Sequence, residues 1–304
     1  MRIVFMGTPD FAVPCLEALF EAGHEIICVV AQPDKPKGRG KKLESPPTIV
    51  WAREKNIPTK QPTRIRTGPF VEWMEQANAD VAVVVAYGRI LKTNLLQAPR
   101  LGCINVHASL LPKYRGAAPI HWAVINGEQK SGVCTMQMDE GMDTGDILLC
   151  AETDIGPEET TGSLWNRLSQ MGGELIVKTL AEREHITPTP QNHEEATYAP
   201  MLQKEHGLID WKQSAEAICN QIRGTNPNPS AYTIFREQPL KIWSAKPVEG
   251  EGSAGTVLVA KKKVVVACGT GAIELRDVQL PGKNIGPAQN LINGARIAVG
   301  EQLG

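Results

Sequence analysis

A chain of 304 residues is longer than a single hydrophobic core usually serves, so its length predicts two domains. Its 42% hydrophobic and 21% charged residues are typical of a folded globular protein and exclude an intrinsically disordered one. The formal net charge of -1 excludes a polycation built as a whole for nucleic acid, although residues 206–304 carry 11 lysines and arginines against 8 acids.

The seven cysteines form no C-x-x-C pair and no cysteine–histidine cluster with zinc spacing, so no metal site is expected. Most lie in apolar stretches and their number is odd, which favours reduced core residues over a disulfide framework. The N-terminal MRIVFMGTPD lacks the apolar core of a signal peptide, and no apolar run is long enough to span a bilayer. These features predict a cytoplasmic protein with no membrane partner.

Short, β-branched apolar runs alternate with helical patterns in the first half of the chain. The runs are Ile3–Met6, Ile26–Ala31, Val81–Ala86 and Ile104–Val106. Continuous runs of this kind are typical of parallel strands covered on both faces. Helices are predicted between and after them, for example over Phe11–Phe20 and Ser163–Leu180. The alternation predicts an α/β fold with an open, Rossmann-like parallel sheet over residues 1–186.

The turn after the first strand, Gly7-Thr8-Pro9-Asp10, is a poor dinucleotide site. It lacks the G-x-G-x-x-G pattern, and Pro9 stands where such a site needs flexible backbone. A tight turn in which Thr8 or Asp10 caps the following helix explains it better. An oxidoreductase is therefore disfavoured.

The second half of the chain has a different organisation. Residues 187–205 are rich in proline and polar residues without any period, which predicts a linker. Residues 206–304 begin with a helix near Ser214–Arg223 and continue with short strands at Ala231–Phe235, Leu240–Ala245, Gly255–Ala260, Val264–Cys268 and Ala272–Leu280. Short strands at close spacing predict a small antiparallel β-barrel, which resembles an OB-fold.

The segment GCINVHASLLPKYRGAAPIHW, residues 102–122, places polar side chains at the end of a buried strand. Because side chains alternate along a strand, Asn105 and His107 share one face while Ile104 and Val106 share the other. Ligands of open α/β sheets bind beyond the carboxyl ends of the strands. A lone buried histidine is more often a core residue, but this pair, followed by a loop rich in proline and glycine, favours a functional site.

A second polar motif, MDEGMDTGDIL at residues 138–148, crowds four acids into a loop flanked by glycines. Acidic residues favour bends, and a solvated turn explains Asp139, Glu140 and Asp146 without any function. Asp143 lies in a D-x-G sequence and needs a separate interpretation.

Taken together and in this order, these motifs resemble those of the folate-dependent formyltransferases. That family shares an asparagine and a histidine two residues apart, S-L-L-P after them, and an aspartate in a D-x-G loop. The corresponding residues here are Asn105, His107, Ser109-Leu110-Leu111-Pro112 and Asp143-Thr144-Gly145. The resemblance covers nearly the whole chain and implies the formyltransferase fold, 10-formyltetrahydrofolate as co-substrate, and Asn105, His107 and Asp143 as catalytic residues.

The resemblance also implies where the folate binds. Its contacts map to Ser109, Leu110, Leu111 and Pro112, and its pterin pocket maps to Ala86, Tyr87, Gly88, Arg89, Ile90 and Leu91.

Formyl transfer to an amine requires groups of the kind that Asn105, His107 and Asp143 supply. Attack of a neutral amine on a formamide-like carbon places negative charge on oxygen, which a donor such as the Asn105 amide can stabilise. His107 can donate as well, or pass a proton to the leaving nitrogen, while Asp143 can orient His107 or a water that accepts the amine proton. A serine-hydrolase interpretation of Ser109 fails because G-x-S-x-G is absent.

The second domain and a basic loop point to a tRNA as the carrier of the amine, and the resemblance to the family implies initiator methionyl-tRNA. Gln32–Pro47 is rich in glycine and follows the second strand, with basic residues at Lys35, Lys37, Arg39, Lys41 and Lys42. It resembles the family's inserted loop, and this resemblance implies that the loop enters the acceptor stem of the tRNA, where a weak first pair would mark the initiator. Barrels of the OB type commonly bind nucleic acid, and further candidate tRNA contacts are Arg223, Lys261, Lys262 and Lys263.

The sequence therefore predicts an enzyme, expected to be a monomer, that formylates the α-amine of methionine on the initiator tRNA for translation initiation. A sugar-amine formyltransferase and a formyltetrahydrofolate hydrolase remain alternatives, although both typically lack the basic loop. An RNA-binding module on an inactive α/β scaffold is a third alternative, which the complete Asn/His/Asp set disfavours.

Overall fold

The computed structural model describes residues 1–37 and 42–304, the side chain of Lys37 excepted. It divides into two compact units. The first consists of Met1–Pro119, Ser131–Thr153 and Trp165–Ala199, and the second of Ile120–Lys130, Asp154–Leu164 and Pro200–Gly304.

The strands up to residue 199 are β1 (Arg2–Gly7), β2 (Glu25–Val30), β3 (Lys35–Lys37), β4 (Lys42–Glu44), β5 (Thr59–Lys60), β6 (Val81–Val85), β7 (Cys103–His107), β8 (Arg115–Gly116), β9 (Lys130–Gln137), β10 (Ile147–Asp154) and β11 (Tyr198–Ala199). The helices of the same stretch are α1 (Val13–Glu21), α2 (Pro47–Glu54), α3 (Pro69–Gln76), α4 (Thr93–Gln97), α5 (Pro119–Ile125) and α6 (Thr161–Ala181).

The main sheet of the first unit has the strand order β10-β9-β7-β6-β1-β2-β5. The pairs from β7 through β6, β1 and β2 to β5 are parallel, as predicted from the continuous apolar runs. The strand β9 pairs with β7 in the antiparallel sense, an edge that no local sequence pattern predicts. Because β9 pairs with β7 on one side and with β10 on the other, the loop that joins β9 to β10 lies near β7.

Both faces of the parallel strands are buried. Every residue of β6 and β7 is buried, and one face contributes Val4, Met6 and Val84 to a core shared with Phe70 and Met74 of α3. This burial is the physical reason for the runs of β-branched residues, since no side of these strands meets water.

The segment predicted as a free linker is instead fastened to the first unit. Thr189 and Ile147 exchange two backbone hydrogen bonds of 2.9 Å, and Gln191 and Ala199 are buried. The boundary of the compact unit falls after Ala199 rather than at residue 186. A lack of periodicity revealed that the segment has no long helix or strand, but not that side chains and short bridges hold it.

The second unit contains α7 (Ala215–Gly224), β12 (Ala231–Phe235), β13 (Gln238–Val248), β14 (Val257–Ala260), β15 (Val264–Ala267), β16 (Ala272–Gln279), β17 (Gly286–Pro287) and α8 (Gln289–Asn293). These bounds match the predicted helix and strands to within a few residues, and Ser214 caps α7 by accepting from the Ala217 amide at 3.1 Å.

The antiparallel sheet of this unit has the order β12-β13-β16-β15-β14, with β17 beside β16. The C-terminal residues connect its two ends: the amide of Leu303 donates to Gly255 O and that of Gly304 to Ile234 O, both at 2.9 Å. One hydrophobic core, to which Ile218 and Ile222 of α7 contribute, fills the inside. The arrangement is consistent with the predicted barrel-like domain.

Cys134 of β9 and Cys150 of β10 form a disulfide, contrary to the expectation of reduced cysteines throughout. They are 16 residues apart in sequence, and only the pairing of the two strands brings their sulfurs together.

Within the part of the chain that the structure describes, no helix is long and apolar enough to cross a membrane.

Candidate active site

Asn105 and His107 lie at the carboxyl end of β7, where the sheet changes from parallel to antiparallel pairing. Asn105 is 9% exposed and His107 is 6% exposed. On one side β6 pairs with β7 up to Asn105, and on the other β9 pairs through Cys134 opposite His107. The backbone of Asn105 is thus paired on both sides and that of His107 with β9, which fixes the direction in which the two side chains leave the strand.

Asp143 reaches these side chains from the loop between β9 and β10. Its Oδ1 accepts from Asn105 Nδ2 at 3.4 Å, and its Oδ2 lies 3.7 Å from His107 Nδ1. The Oδ2 also accepts from the backbone amide of Gly116 at 2.8 Å. The structure therefore brings the three predicted catalytic residues together, although 36 residues separate His107 from Asp143 in sequence.

The D-x-G sequence has a local geometric cause. Asp143 has a φ of 53°, in the left-handed region where aspartate is one of the better tolerated residues. A Cβ on Gly145 would collide with the carbonyl oxygen of Gln137. The motif therefore combines a carboxylate on a left-handed residue with the glycine that lets the loop close against β9.

The ring of His107 is oriented by the loop that follows it. Its Nε2 lies 3.0 Å from the carbonyl oxygen of Tyr114. A carbonyl can only accept, so Nε2 carries the proton and donates it. The Nδ1, which faces Asp143, is left as the ring nitrogen that can gain or lose a proton.

The loop after β7 is fastened by the segment that was predicted as a linker. The amide of Tyr114 donates to Thr197 Oγ1 at 2.9 Å and that of Arg115 to Thr197 O at 2.8 Å. The short strands β8 and β11 pair in parallel at the same place. Ser109 is buried and its Oγ donates to Lys113 O at 2.6 Å, so its hydroxyl closes the loop and is not presented as a nucleophile.

The predicted folate segment 86–91 divides into core and surface. Tyr87 and Leu91 are 2% and 1% exposed and pack in the core of the first unit, and burial raises the pKa of the Tyr87 hydroxyl. Ala86, Gly88 and Ile90 are exposed. The side chains of Tyr87 and Leu91 therefore shape this segment, and the other residues are the ones available to a ligand. In the S-L-L-P motif, Leu111 is buried, and Leu110 and Pro112 are half-buried.

A cavity of about 550 Å³ next to this segment was not found from the sequence. It is lined by residues 63–67 together with Arg89 and Ile90, so three of its seven lining residues are arginines: Arg64, Arg66 and Arg89. Arg89 is held in place by Gln32 Oε1 at 3.0 Å and Thr63 O at 2.9 Å, both neutral acceptors. The sequence signal was the T-R-I-R-T stretch, in which two arginines flank a buried isoleucine.

The predicted basic loop is only partly described. Lys35 in β3 and Lys42 in β4 are exposed on a two-stranded hairpin. Arg39, Lys41 and the side chain of Lys37 lie outside the described residues. Asp34 stands before this hairpin, where it accepts from Ser45 Oγ at 3.1 Å and Gln61 Nε2 at 2.6 Å.

The candidate tRNA contacts of the second unit differ in their exposure and in the partners they have within the protein. Lys261 and Lys262 are exposed in the turn between β14 and β15, as predicted, while Lys263 pairs with Glu274 at 3.3 Å. Arg223 donates to Asn220 Oδ1 at 2.9 Å and to Glu159 O at 3.2 Å, and burial lowers its pKa. These contacts favour a structural role for Arg223 over contact with tRNA.

Sequence comparison identifies the class of protein to which this fold and site belong. The family model described as formyl transferase matches residues 1–180, and the model described as formyl transferase, C-terminal domain, matches residues 201–296. The chain is a member of the formyl transferase family.

Curated relatives show to which group within the formyl transferase family the chain belongs. Proteins named methionyl-tRNA formyltransferase from Citrifermentans bemidjiense and Desulforamulus reducens are 47% and 48% identical to the chain, of which they cover 100%, with 96% and 98% of their own lengths matched. At this identity over the full length, the chain belongs to the methionyl-tRNA formyltransferase family.

Solved structures share the fold at lower identity. An N-formyltransferase from Helicobacter canadensis, in complex with folinic acid and dTDP-3-aminofucose, matches with a TM-score of 0.68 at 18% identity, over 90% of this chain and 98% of that one. HypX from Aquifex aeolicus, in complex with tetrahydrofolic acid, has a TM-score of 0.63 at 17% identity, over 99% of this chain and 48% of that one.

Proposed function

We propose that this protein transfers the formyl group of 10-formyltetrahydrofolate to the α-amine of methionine on initiator methionyl-tRNA. The observation that carries the proposal is the convergence of Asn105, His107 and Asp143 at the carboxyl end of β7 in a chain that is 47% identical to methionyl-tRNA formyltransferases. We place this reaction in the cytoplasm, where translation begins. A monomer suffices for it, because the proposed catalytic groups come from one chain.

The surfaces around residues 86–91 fit the folate co-substrate. Exposed Ala86, Gly88 and Ile90 offer small and apolar contacts for a flat ring system, and the backbone of Ala86 and Gly88 is left-handed. The adjoining cavity with Arg64, Arg66 and Arg89 suits an anionic tail. Folate combines an aromatic ring system with glutamyl carboxylates, and it supplies an activated one-carbon group to the site.

Asn105 is suited to stabilise charge. Its Nδ2 carries two hydrogens and its contact with Asp143 uses one, at the long distance of 3.4 Å. The second can donate to the formyl oxygen where negative charge develops as the amine attacks, and loss of one such donor costs about 3–4 kcal/mol in the transition state.

His107 and Asp143 are suited to move the protons. With Nε2–H committed to Tyr114 O, only the Nδ1 of His107 can accept a proton from the attacking amine or return it to the leaving nitrogen. The Asp143 carboxylate faces that Nδ1 at 3.7 Å and would stabilise the protonated ring. The low exposure of both His107 and Asn105 strengthens these interactions by excluding water.

The tRNA contacts are proposed on charge and position. The hairpin carrying Lys35 and Lys42 and the turn carrying Lys261 and Lys262 are exposed and basic, as contacts to phosphates require. We retain Lys37, Arg39 and Lys41 as proposed contacts on the grounds of sequence.

The deciding experiment measures transfer of labelled formyl groups from 10-formyltetrahydrofolate to initiator methionyl-tRNA, elongator methionyl-tRNA and an amino-sugar nucleotide. We expect transfer to the initiator, much slower transfer to the elongator and none to the sugar. Preferential formylation of the sugar would favour the sugar-amine alternative, and release of formate without transfer would favour the hydrolase. Binding of tRNA without any transfer would indicate an inactive scaffold.

A further inference from the structure

Arg115 is a buried cation to which the proposed chemistry assigns no role. Its side chain belongs to the loop after β7 and is 1% exposed. The Nε and Nη2 atoms donate to Gln191 Oε1 at 3.1 and 2.7 Å, and Nη1 lies 3.2 Å from His193 Nδ1. Because a guanidinium stays protonated in proteins, its burial is costly unless its donors are satisfied. The contacts to Gln191 and His193 must therefore be well made.

This pairing fixes the direction of the Gln191 amide. Since Gln191 Oε1 accepts two hydrogen bonds from Arg115, its Nε2 is turned the other way and must donate. It does so to the carbonyl oxygen of Asp143 at 2.9 Å and to that of Gly145 at 2.7 Å. Gln191 is itself 6% exposed, so water has little access to replace these bonds.

The Gln191 amide holds Asp143, whose backbone conformation has to be stabilised by its surroundings. Asp143 has its φ at 53°, and a residue with a side chain keeps this conformation only where its surroundings determine it. Gln191 holds its backbone carbonyl, and the amide of Gly116, which follows Arg115 in the chain, holds its carboxylate at 2.8 Å. Arg115 and Gly116 therefore hold Asp143 in two ways: Arg115 acts through Gln191 on the backbone carbonyl, and Gly116 binds the carboxylate directly.

We propose that Arg115 and Gln191 are positioning residues, which hold the Asp143 backbone so that its carboxylate faces both Asn105 and His107. They act through Asp143 and touch no substrate. This inference rests on the catalytic role proposed for Asp143.

The principal test uses two substitutions in the full-length chain. Gln191→Glu keeps an acceptor for Arg115 but cannot donate to the two carbonyls, and Gln191→Leu removes the donors without adding a charge. We expect kcat to fall about 10- to 100-fold in both, as when a catalytic group is displaced by about 1 Å. The KM values for folate and tRNA should stay within about threefold, because binding and positioning are separate effects.

Gln137 offers a matched control in the same unit. Its Oε1 accepts from Arg183 Nη2 at 3.2 Å, and its Nε2 donates to Leu101 O at 3.2 Å and Cys103 O at 3.1 Å. It thus repeats the arrangement of Arg115 and Gln191 at the opposite end of β7. Gln137→Glu should lower the melting temperature about as much as Gln191→Glu does, while kcat stays within about twofold of the wild-type value.

A double-mutant cycle separates this inference from the proposed function. On an Asp143→Ala background, measured by single turnover at high enzyme concentration, a further Gln191→Leu change should alter the rate by less than about twofold. An equal loss in both backgrounds, a loss confined to KM, or normal kcat in Gln191→Leu would overturn the positioning role. Normal turnover in Asp143→Ala alone would instead contradict the catalytic role on which the inference rests.

Discussion

The imidazole of His107 donates through Nε2 to the backbone carbonyl oxygen of Tyr114 at 3.0 Å. Tyr114 itself is in the left-handed region, with a φ of 59°, and its amide is held by Thr197 at 2.9 Å. The histidine tautomer is thus determined by a loop whose own conformation depends on a segment 83 residues further along the chain. This chain of contacts explains why Nδ1, facing Asp143, is the atom to which we assign proton transfer.

Single replacement of Asn105, His107 or Asp143 by alanine should lower kcat by at least ~100-fold, as expected for loss of an oxyanion donor or a general acid–base group. The melting temperature should change little, because strained polar sites rarely contribute stability. Steady-state kinetics and thermal denaturation of each variant check this. A large loss of stability with near-normal turnover of the remaining folded enzyme would show that His107 is a core residue.

Neutralising the arginine cavity should weaken folate binding selectively. In Arg64→Gln with Arg66→Gln, we expect KM for 10-formyltetrahydrofolate to rise about tenfold with kcat nearly unchanged, since two charge-assisted contacts to carboxylates are lost. With a co-substrate that lacks the glutamyl group, wild type and variant should have equal KM. Arg100→Gln, which removes an exposed arginine paired with Asp80, is the control. An unequal KM for the truncated co-substrate would contradict the assignment.

Neutralising Arg39, Lys41 and Lys42 together should weaken productive tRNA binding and flatten its dependence on salt. Each phosphate contact that is lost reduces the slope of log K against log salt by about 0.7–0.9. The preference for initiator over elongator tRNA should shrink, and folate binding should be unaffected. Replacing the exposed Lys204, Lys212 and Lys283 gives a charge-matched control. An unchanged salt slope and unchanged selection in the first variant would mean that the loop is only a solvated surface.

The cysteine pairing predicts a thiol count. Five cysteines are free and Cys134 and Cys150 are joined, so titration in denaturant should find five thiols before reduction and seven after it. Reduction should destabilise the fold by at most about 3 kcal/mol, the loop-entropy value for a closed loop of about 15 residues. Seven thiols in the unreduced protein would show that the cysteines are reduced, as the sequence analysis expected.

Limited proteolysis tests the fastened segment. Thr189 is paired with Ile147, Gln191 with Arg115, and Thr197 with the loop at Tyr114, so backbone from 187 to 199 should resist a non-specific protease. First cuts are expected after it, at the exposed residues between Pro200 and Lys204. Cleavage beginning between 187 and 199 would restore the interpretation of that stretch as a free linker.

Asn105, His107 and Asp143 could be proposed as catalytic residues from the sequence because the signals that mark them are local. Asn105 and His107 follow a buried strand at a spacing of two, and the strand period alone places them on one face. The D-x-G sequence around Asp143 is likewise a local requirement of a left-handed residue and a close backbone approach. What no local pattern could show is that the β9–β10 loop and β7 are neighbours, which depends on the antiparallel edge of the sheet.

Periodicity was enough to predict the parallel strands of the first half and the short antiparallel strands of the second, and contiguous motifs were enough to propose a catalytic set. The remaining features depend on contacts that only the tertiary structure creates. Arg115 and Gln191, 76 residues apart, gave no signal of their connection to Asp143. The arginines that line the cavity come from two separate segments of the chain. Cys134 and Cys150 met only through strand pairing. Such contacts are non-local, and their partners become neighbours only when the whole chain has packed.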